Sequence, residues 1–150
     1  MRKTLITFFT IIFCLTSSAV WSKTLDDLIY RDKIYYKKFT EVIFSGEVRS
    51  IEQGLIKNGK REGFWVNYHS NGELKSKGEF KNGKKEGPWV KHYNNKQLKS
   101  KGNFKNGKKE GFRVKYYRSG QLKSKGNFKN GKKEGFWESY SSEGIIDKKI

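Results

Sequence analysis

The sequence predicts an all-β fold, a single-layer twisted antiparallel meander built from tandem 24-residue β-hairpin repeats. Three observations predict it. The same 24 residues recur four times without a gap, from Gly54, Gly78, Gly102 and Gly126, and eight of the 24 columns are identical in every copy. Each copy holds an Asn-Gly dipeptide, at Asn58-Gly59, Asn82-Gly83, Asn106-Gly107 and Asn130-Gly131; these residues accept the positive φ of a tight hairpin turn. A second turn signal follows half a repeat later, at Asn71-Gly72, Asn95-Lys96, Ser119-Gly120 and Glu143-Gly144. Segments of roughly seven to nine residues lie between the turns, a suitable strand length. The expectation is about nine strands from Glu47 to Lys149.

Taken in order, residues 1–22 read as a cleaved signal peptide. Arg2 and Lys3 form a charged start, Leu5 to Leu15 a short apolar core, and Thr16 to Ser22 a small-residue region, with cleavage after Ser22 or Ala19. Eleven apolar-biased residues fall well short of the ~20 that a helix needs to cross a bilayer. The expected location is therefore exported, periplasmic or secreted in a bacterium. The one cysteine, Cys14, lies in this segment, so the mature chain is expected to have no disulfide and no thiolate site.

Residues 23–53 form an N-terminal capping segment with the first strands. Leu28 to Tyr30 and Ile34 to Tyr36 flank Arg31-Asp32-Lys33 and favour a short hairpin, with Val42 to Phe44 running on to the sheet. Thr24 capping a brief helix through Tyr30 is the alternative. The four repeats follow as 54–77, 78–101, 102–125 and 126–149. Leu74, Ser76, Gly78 and Phe80 alternate with Lys75, Lys77, Glu79 and Lys81, which places the Leu/Phe side in the core and the Lys side in solvent. The glycine suits a place where an aromatic ring from the next strand lies over bare backbone. The other strand of each hairpin carries aromatics on both faces, so periodicity leaves its buried side open. Trp65, Trp89 and Trp137 share a column that Arg113 occupies in the third copy.

Catalytic chemistry finds no constellation here. His69 and His92 fall in columns where other copies carry Tyr or Ser, and neither has a partner that would make it an acid or base. Glu62, Glu86, Glu110 and Glu134 recur along one edge and are expected to temper neighbouring lysines; paired-carboxylate hydrolysis requires groups facing across a cleft. No zinc-ligand spacing or phosphate-binding glycine loop occurs in the chain. The expectation is a non-enzyme with no cofactor, no metal and no small-molecule substrate.

Charge points to partners instead. The formal charge is +18, and removal of Arg2 and Lys3 leaves 31 basic against 15 acidic side chains, or +16. Such a balance favours anionic partners, and export disfavours nucleic acid among them. All four Asn-Gly turns must lie on one sheet edge. There Lys57, Lys60, Arg61, Lys81, Lys84, Lys85, Lys105, Lys108, Lys109, Lys129, Lys132 and Lys133 form a candidate ridge for an anion or a partner, with rungs about 10 Å apart. Trp65, Trp89, Tyr93, Tyr117 and Trp137 are candidate aromatic contacts.

The columns G-x-F-K-N-G-K-x-E-G-x-W, with Phe80, Asn82, Gly83, Gly87 and Trp89 in the second copy, resemble the MORN-repeat family in its bacterial variant form. The segment Tyr35 to Val48 is similar to the leader of exported proteins labelled YwqK-type antitoxins. The resemblance implies a twisted sheet acting as a binding scaffold, contacts with proteins or acidic phospholipids, and, for the YwqK group, neutralisation of a toxin. The functional expectation is an exported, non-catalytic scaffold that binds a protein partner in the cell envelope. The alternatives are a toxin-neutralising protein and an electrostatic binder of anionic lipid or envelope polysaccharide.

Overall fold

The computed structural model describes residues 23–149. The expected signal segment, residues 1–22 with Cys14, lies outside the described residues. A 3-10 turn, Leu25–Asp27, leads into strands β1 (Leu28–Arg31) and β2 (Ile34–Lys37), which pair as a two-stranded sheet. The expected hairpin is present, whereas the helical alternative through Tyr30 is not: the turn ends at Asp27 and Leu28 to Tyr30 pair in β1. The Asp27 carboxylate accepts from the Thr24 N–H at 2.9 Å, and the hairpin turn follows with Asp32 and Lys33 at φ 51° and 64°.

The main sheet comprises β3 (Gly46–Arg49), β4 (Glu52–Lys57), β5 (Lys60–Tyr68), β6 (Leu74–Lys81), β7 (Lys84–His92), β8 (Leu98–Lys105), β9 (Lys108–Tyr116), β10 (Leu122–Lys129), β11 (Lys132–Tyr140) and β12 (Ile146–Lys149). These ten strands lie in chain order, each antiparallel to the next, in an open meander. The expected count was about nine. The additional strand is β3, set off from β4 by the bend at Ser50 and Ile51.

Turn chemistry explains the hairpins. Asn82 and Gly83 have φ of 51° and 76°, and the other three Asn-Gly pairs match them, the signature of a type I′ turn. The second turn differs. Only its last residue is left-handed, as Gly72 at φ 81° and Lys96 at 69°, while the Gly72 N–H donates to the His69 carbonyl and the His69 N–H to that of Glu73. That is a three-residue loop closed by an αL residue.

Strand register settles the side that periodicity left open. Between β6 and β7 the register moves from Gly78↔Trp89 to Glu79↔Glu86, leaving Gly87, at φ 62°, and Pro88 as two extra residues on β7. The same shift occurs at Gly102/Asn103 and Gly126/Asn127. Two extra residues preserve strand parity, so Trp89 stays on the side of Lys85 and Gly87, the Leu/Phe side of the sheet. Trp65, Gly78, Trp89, Gly102, Arg113, Gly126 and Trp137 become successive partners across β5 to β11. A Cβ added at Gly54, Gly78 or Gly126 would lie 2.4 Å from the facing indole, so the ring does lie over bare glycine backbone. Phe80 stands edge-on between Trp65 and Trp89, with centroids 6.0 and 5.2 Å away. Each indole N–H donates to a neighbouring carbonyl, as Trp89 does to Glu79 at 3.1 Å.

The N-terminal segment covers the start of this face. Leu28 and Phe44 are buried with Val48, Ile56, Trp65, Phe80 and Trp89, and Leu25, Tyr35 and Phe104 pack against them. Further on, side chains reaching one repeat ahead hold the sheet together. The Tyr93 hydroxyl donates to the Tyr116 carbonyl and Tyr117 to that of Tyr140; His69 Nε2 meets the His92 carbonyl at 3.1 Å. Nearest-neighbour bonding of this kind is what makes a repeat array additive.

Candidate functional site

The described residues offer three surfaces: the Asn-Gly edge, the tryptophan face and the face opposite it. On the edge, Lys57 sits directly across from Lys60, Lys81 from Lys84, Lys105 from Lys108 and Lys129 from Lys132. All eight are exposed. Like charges placed opposite each other are unfavourable in a sheet, so this edge holds electrostatic potential that the fold itself does not use. The acids have another task than the one expected. Glu62, Glu86 and Glu110 accept, at 2.8 to 2.9 Å, from the backbone N–H of Asn82, Asn106 and Asn130. Each carboxylate thereby docks the next turn onto its own hairpin, and Glu134 pairs with Lys129 at 3.4 Å.

The other third of the expected ridge is elsewhere. Arg61, Lys85, Lys109 and Lys133 are partners of Ile56, Phe80, Phe104 and Phe128 and so point to the tryptophan face. The reason is strand parity: a two-residue turn places the first lysine after it on the outer side and the second on the inner. Their cationic heads lie over the rings, Arg61 4.4 Å from Trp65, Lys85 4.1 Å from Trp89, Lys109 4.8 Å from Phe128 and Lys133 4.5 Å from Trp137. The candidate aromatic contacts also change role. Trp65, Trp89 and Trp137 are buried and belong to packing. Tyr93 and Tyr117 spend their hydroxyls on backbone and lie under Lys99 and Lys123 at 5.0 and 4.8 Å.

Burial, helped by Lys91, Arg113 and Arg61, pushes the Lys85 pKa down from 10.5 to about 8. The unfolded chain keeps that proton up to 10.5 and the folded chain releases it near 8. The folded state therefore gains stability as pH rises from 8 to 10.5, and this contribution is lost as pH falls through 8. Lys85→Met, which keeps the stem and removes the charge, is expected to melt higher than the wild type at neutral pH and to flatten the alkaline rise. Thermal denaturation at a series of pH values checks it; identical profiles would contradict the assignment.

The opposite face carries the residues that sequence reasoning missed. Phe64, Phe112 and Phe136 are 57, 53 and 59% exposed, in the column where the second copy has Pro88. Phe64 partners Glu79, and Phe112 partners Asn127, both on the outer side. Beside them runs a row of successive partners, Val66, Lys77, Val90, Lys101, Val114 and Lys125. Exposed phenylalanines recurring at one place per repeat are informative, since a fold has no need of them there. The available signal was alternation counted from the Asn-Gly turn, which puts Phe64 on the outer side with Glu62 and Trp65 on the inner side with Arg61.

Among the described residues no group of three or more metal-ligating side chains occurs. Residues 61–82, 85–106 and 109–130 each match the family model described as MORN repeat variant. No curated protein matches the chain.

Proposed function

Starting from residues 61–130 as three tandem MORN repeat variants, we propose that this protein is an exported, non-catalytic scaffold that binds a protein partner in the cell envelope. MORN repeats are found in repeat scaffold proteins, and the family is generally non-catalytic. One observation carries the docking surface: the exposed Phe64, Phe112 and Phe136 on the outer face, flanked by the Val/Lys row. Such a face fits a partner that is apolar along its centre and acidic at its margins. A toxin is one partner class that this scaffold would neutralise by covering it. Export rests on residues 1–22 of the sequence alone.

The test replaces Phe64, Phe112 and Phe136 with Ser together. Exposed rings contribute little to folding, so the melting temperature should barely move, while capture of the envelope partner should fall at least roughly tenfold if the rings are its anchors. A folded triple variant that retains full capture would sink the proposal. A second reading, electrostatic binding of anionic lipid or polysaccharide, is favoured by the Lys–Lys pairs of the turn edge. It predicts binding to anionic vesicles that weakens steeply with salt and disappears in Lys81→Glu, Lys84→Glu, Lys105→Glu, Lys108→Glu. The phenylalanine substitutions would leave it intact.

A further inference from the structure

Three tryptophans cover glycines along the ladder, and the third repeat places Arg113 there instead. Arg113 is only 8% exposed. Its Nη2 donates to Ser100 Oγ at 3.1 Å, but its Nε and Nη1 are buried without a hydrogen-bond partner. A guanidinium keeps its charge when buried, and a buried charge lacking a counter-ion is strongly unfavourable. The neighbours deepen the imbalance. The strand partners of Ser100 are Lys91 on β7 and Lys115 on β9, so two lysines share the face of the hydroxyl that Arg113 touches, one on either side. Burial first, and the like charges of Arg113 and Lys109 with it, hold both lysines below their ordinary range. Among the described residues no ion pair reaches Lys91, Arg113 or Lys115. This arrangement occurs once: the positions equivalent to the two lysines are Asn67 on β5 and Ser139 on β11.

We propose that Lys91, Arg113 and Lys115, grouped around Ser100 on the tryptophan face, bind one doubly charged tetrahedral oxyanion, a phosphate or phosphomonoester group. The site lies on the face opposite the one assigned to partner docking and stands without that assignment. Charge selects the class: a carboxylate would neutralise one of the three cations, a dianion two. Donors match it as well. Arg113 offers Nε–H and Nη1–H, each lysine an ammonium, and the Ser100 hydroxyl, which accepts from Arg113, retains its own proton to give. The exposed Lys115 marks the side from which the ligand enters.

The test is an NMR titration of the full chain that follows the Arg113 Nε–H resonance at near-neutral pH and constant ionic strength. Inorganic phosphate should move the resonance saturably, and acetate should bind roughly tenfold more weakly or worse, consistent with one fewer charge-assisted hydrogen bond. Glycerol phosphate matching inorganic phosphate would assign the group to a larger molecule, and a response to the free ion alone would assign it to phosphate itself; both support the site. Arg113→Trp completes the tryptophan column, should stay folded and, read on the backbone N–H resonances of Ser100 and Gly102 that both proteins keep, should lose phosphate binding roughly tenfold to a hundredfold. Arg113→Gln serves if the tryptophan variant does not fold. The proposal is overturned by an unmoved resonance, by acetate binding as tightly as phosphate, or by phosphate binding undiminished in the folded variant, which would place the anion on the turn lysines.

Discussion

Trp89→Ala should destabilise the sheet by about 3–5 kcal/mol, the range for deleting a buried aromatic. Trp89 is 3% exposed, stands edge-on to Phe80 and Phe104 with centroids 5.2 and 6.2 Å away, and gives its N–H to the Glu79 carbonyl. Alanine forfeits all of these at once and bares the Gly78 backbone. The glycine makes the test specific. A Cβ at Gly78 would meet Trp89 Cδ2 and Cε2 at 2.4 Å, so Gly78→Ala alone must push the ring away, at a penalty of about 1–3 kcal/mol. In the Trp89→Ala background the same Cβ meets no ring. There Gly78→Ala should become neutral or even stabilise by about 0.5–1 kcal/mol, because glycine is a poor strand residue. A double-mutant cycle by urea denaturation reads the coupling. Additive effects would mean that the ring does not lie over Gly78.

Excising Gly78 to Lys101 should leave a shorter folded sheet that melts lower, whereas excising Gly78 to Trp89 should abolish cooperative folding. The bonding pattern gives the reason. Removal of the full period joins Lys77 to Gly102. Trp65 then meets Gly102 as it now meets Gly78, the Glu62 carboxylate finds the Asn106 N–H as Glu86 does now, and His69 comes within reach of the Tyr116 carbonyl that Tyr93 uses now. Every partner that leaves with the excised repeat is replaced by its equivalent one repeat on. Removal of half the period joins Lys77 to Val90 and takes out one Asn-Gly turn, so every later strand would run the wrong way and each indole would face the wrong partner. Circular dichroism with thermal denaturation separates the two. Equal damage from both deletions would contradict a meander of nearest-neighbour hairpins.

Much of this architecture is legible residue by residue. Asn82-Gly83 determines a I′ turn because few residues other than these take two successive positive φ values cheaply. The alternation from Leu74 to Lys81 determines a half-buried strand, and the glycine within it already marks where a ring would rest. The surfaces were less legible. Lys84 and Lys85 are adjacent and chemically identical, yet one is exposed on the edge and the other sits over Trp89 and Phe104. Phe64 and Trp65 are likewise adjacent, and one faces solvent while the other is fully buried. The carboxylate of Glu86 is spent on the turn of the following repeat, a partner twenty residues away that no local pattern announces.

By itself, then, the sequence determined the period, the turns, the antiparallel order and the glycine–ring columns. Each of these follows from local backbone preference or from a spacing that repeats four times. Only the tertiary structure decided which face of the sheet is covered, that Arg113 stands in a tryptophan's place with two of its nitrogens unpartnered, and that three phenylalanines are left outside. The physical reason is register: alternation along a strand decides which residues share a face, but which of the two faces is covered, and by what, is defined only by the neighbouring strands and the N-terminal segment packed on them.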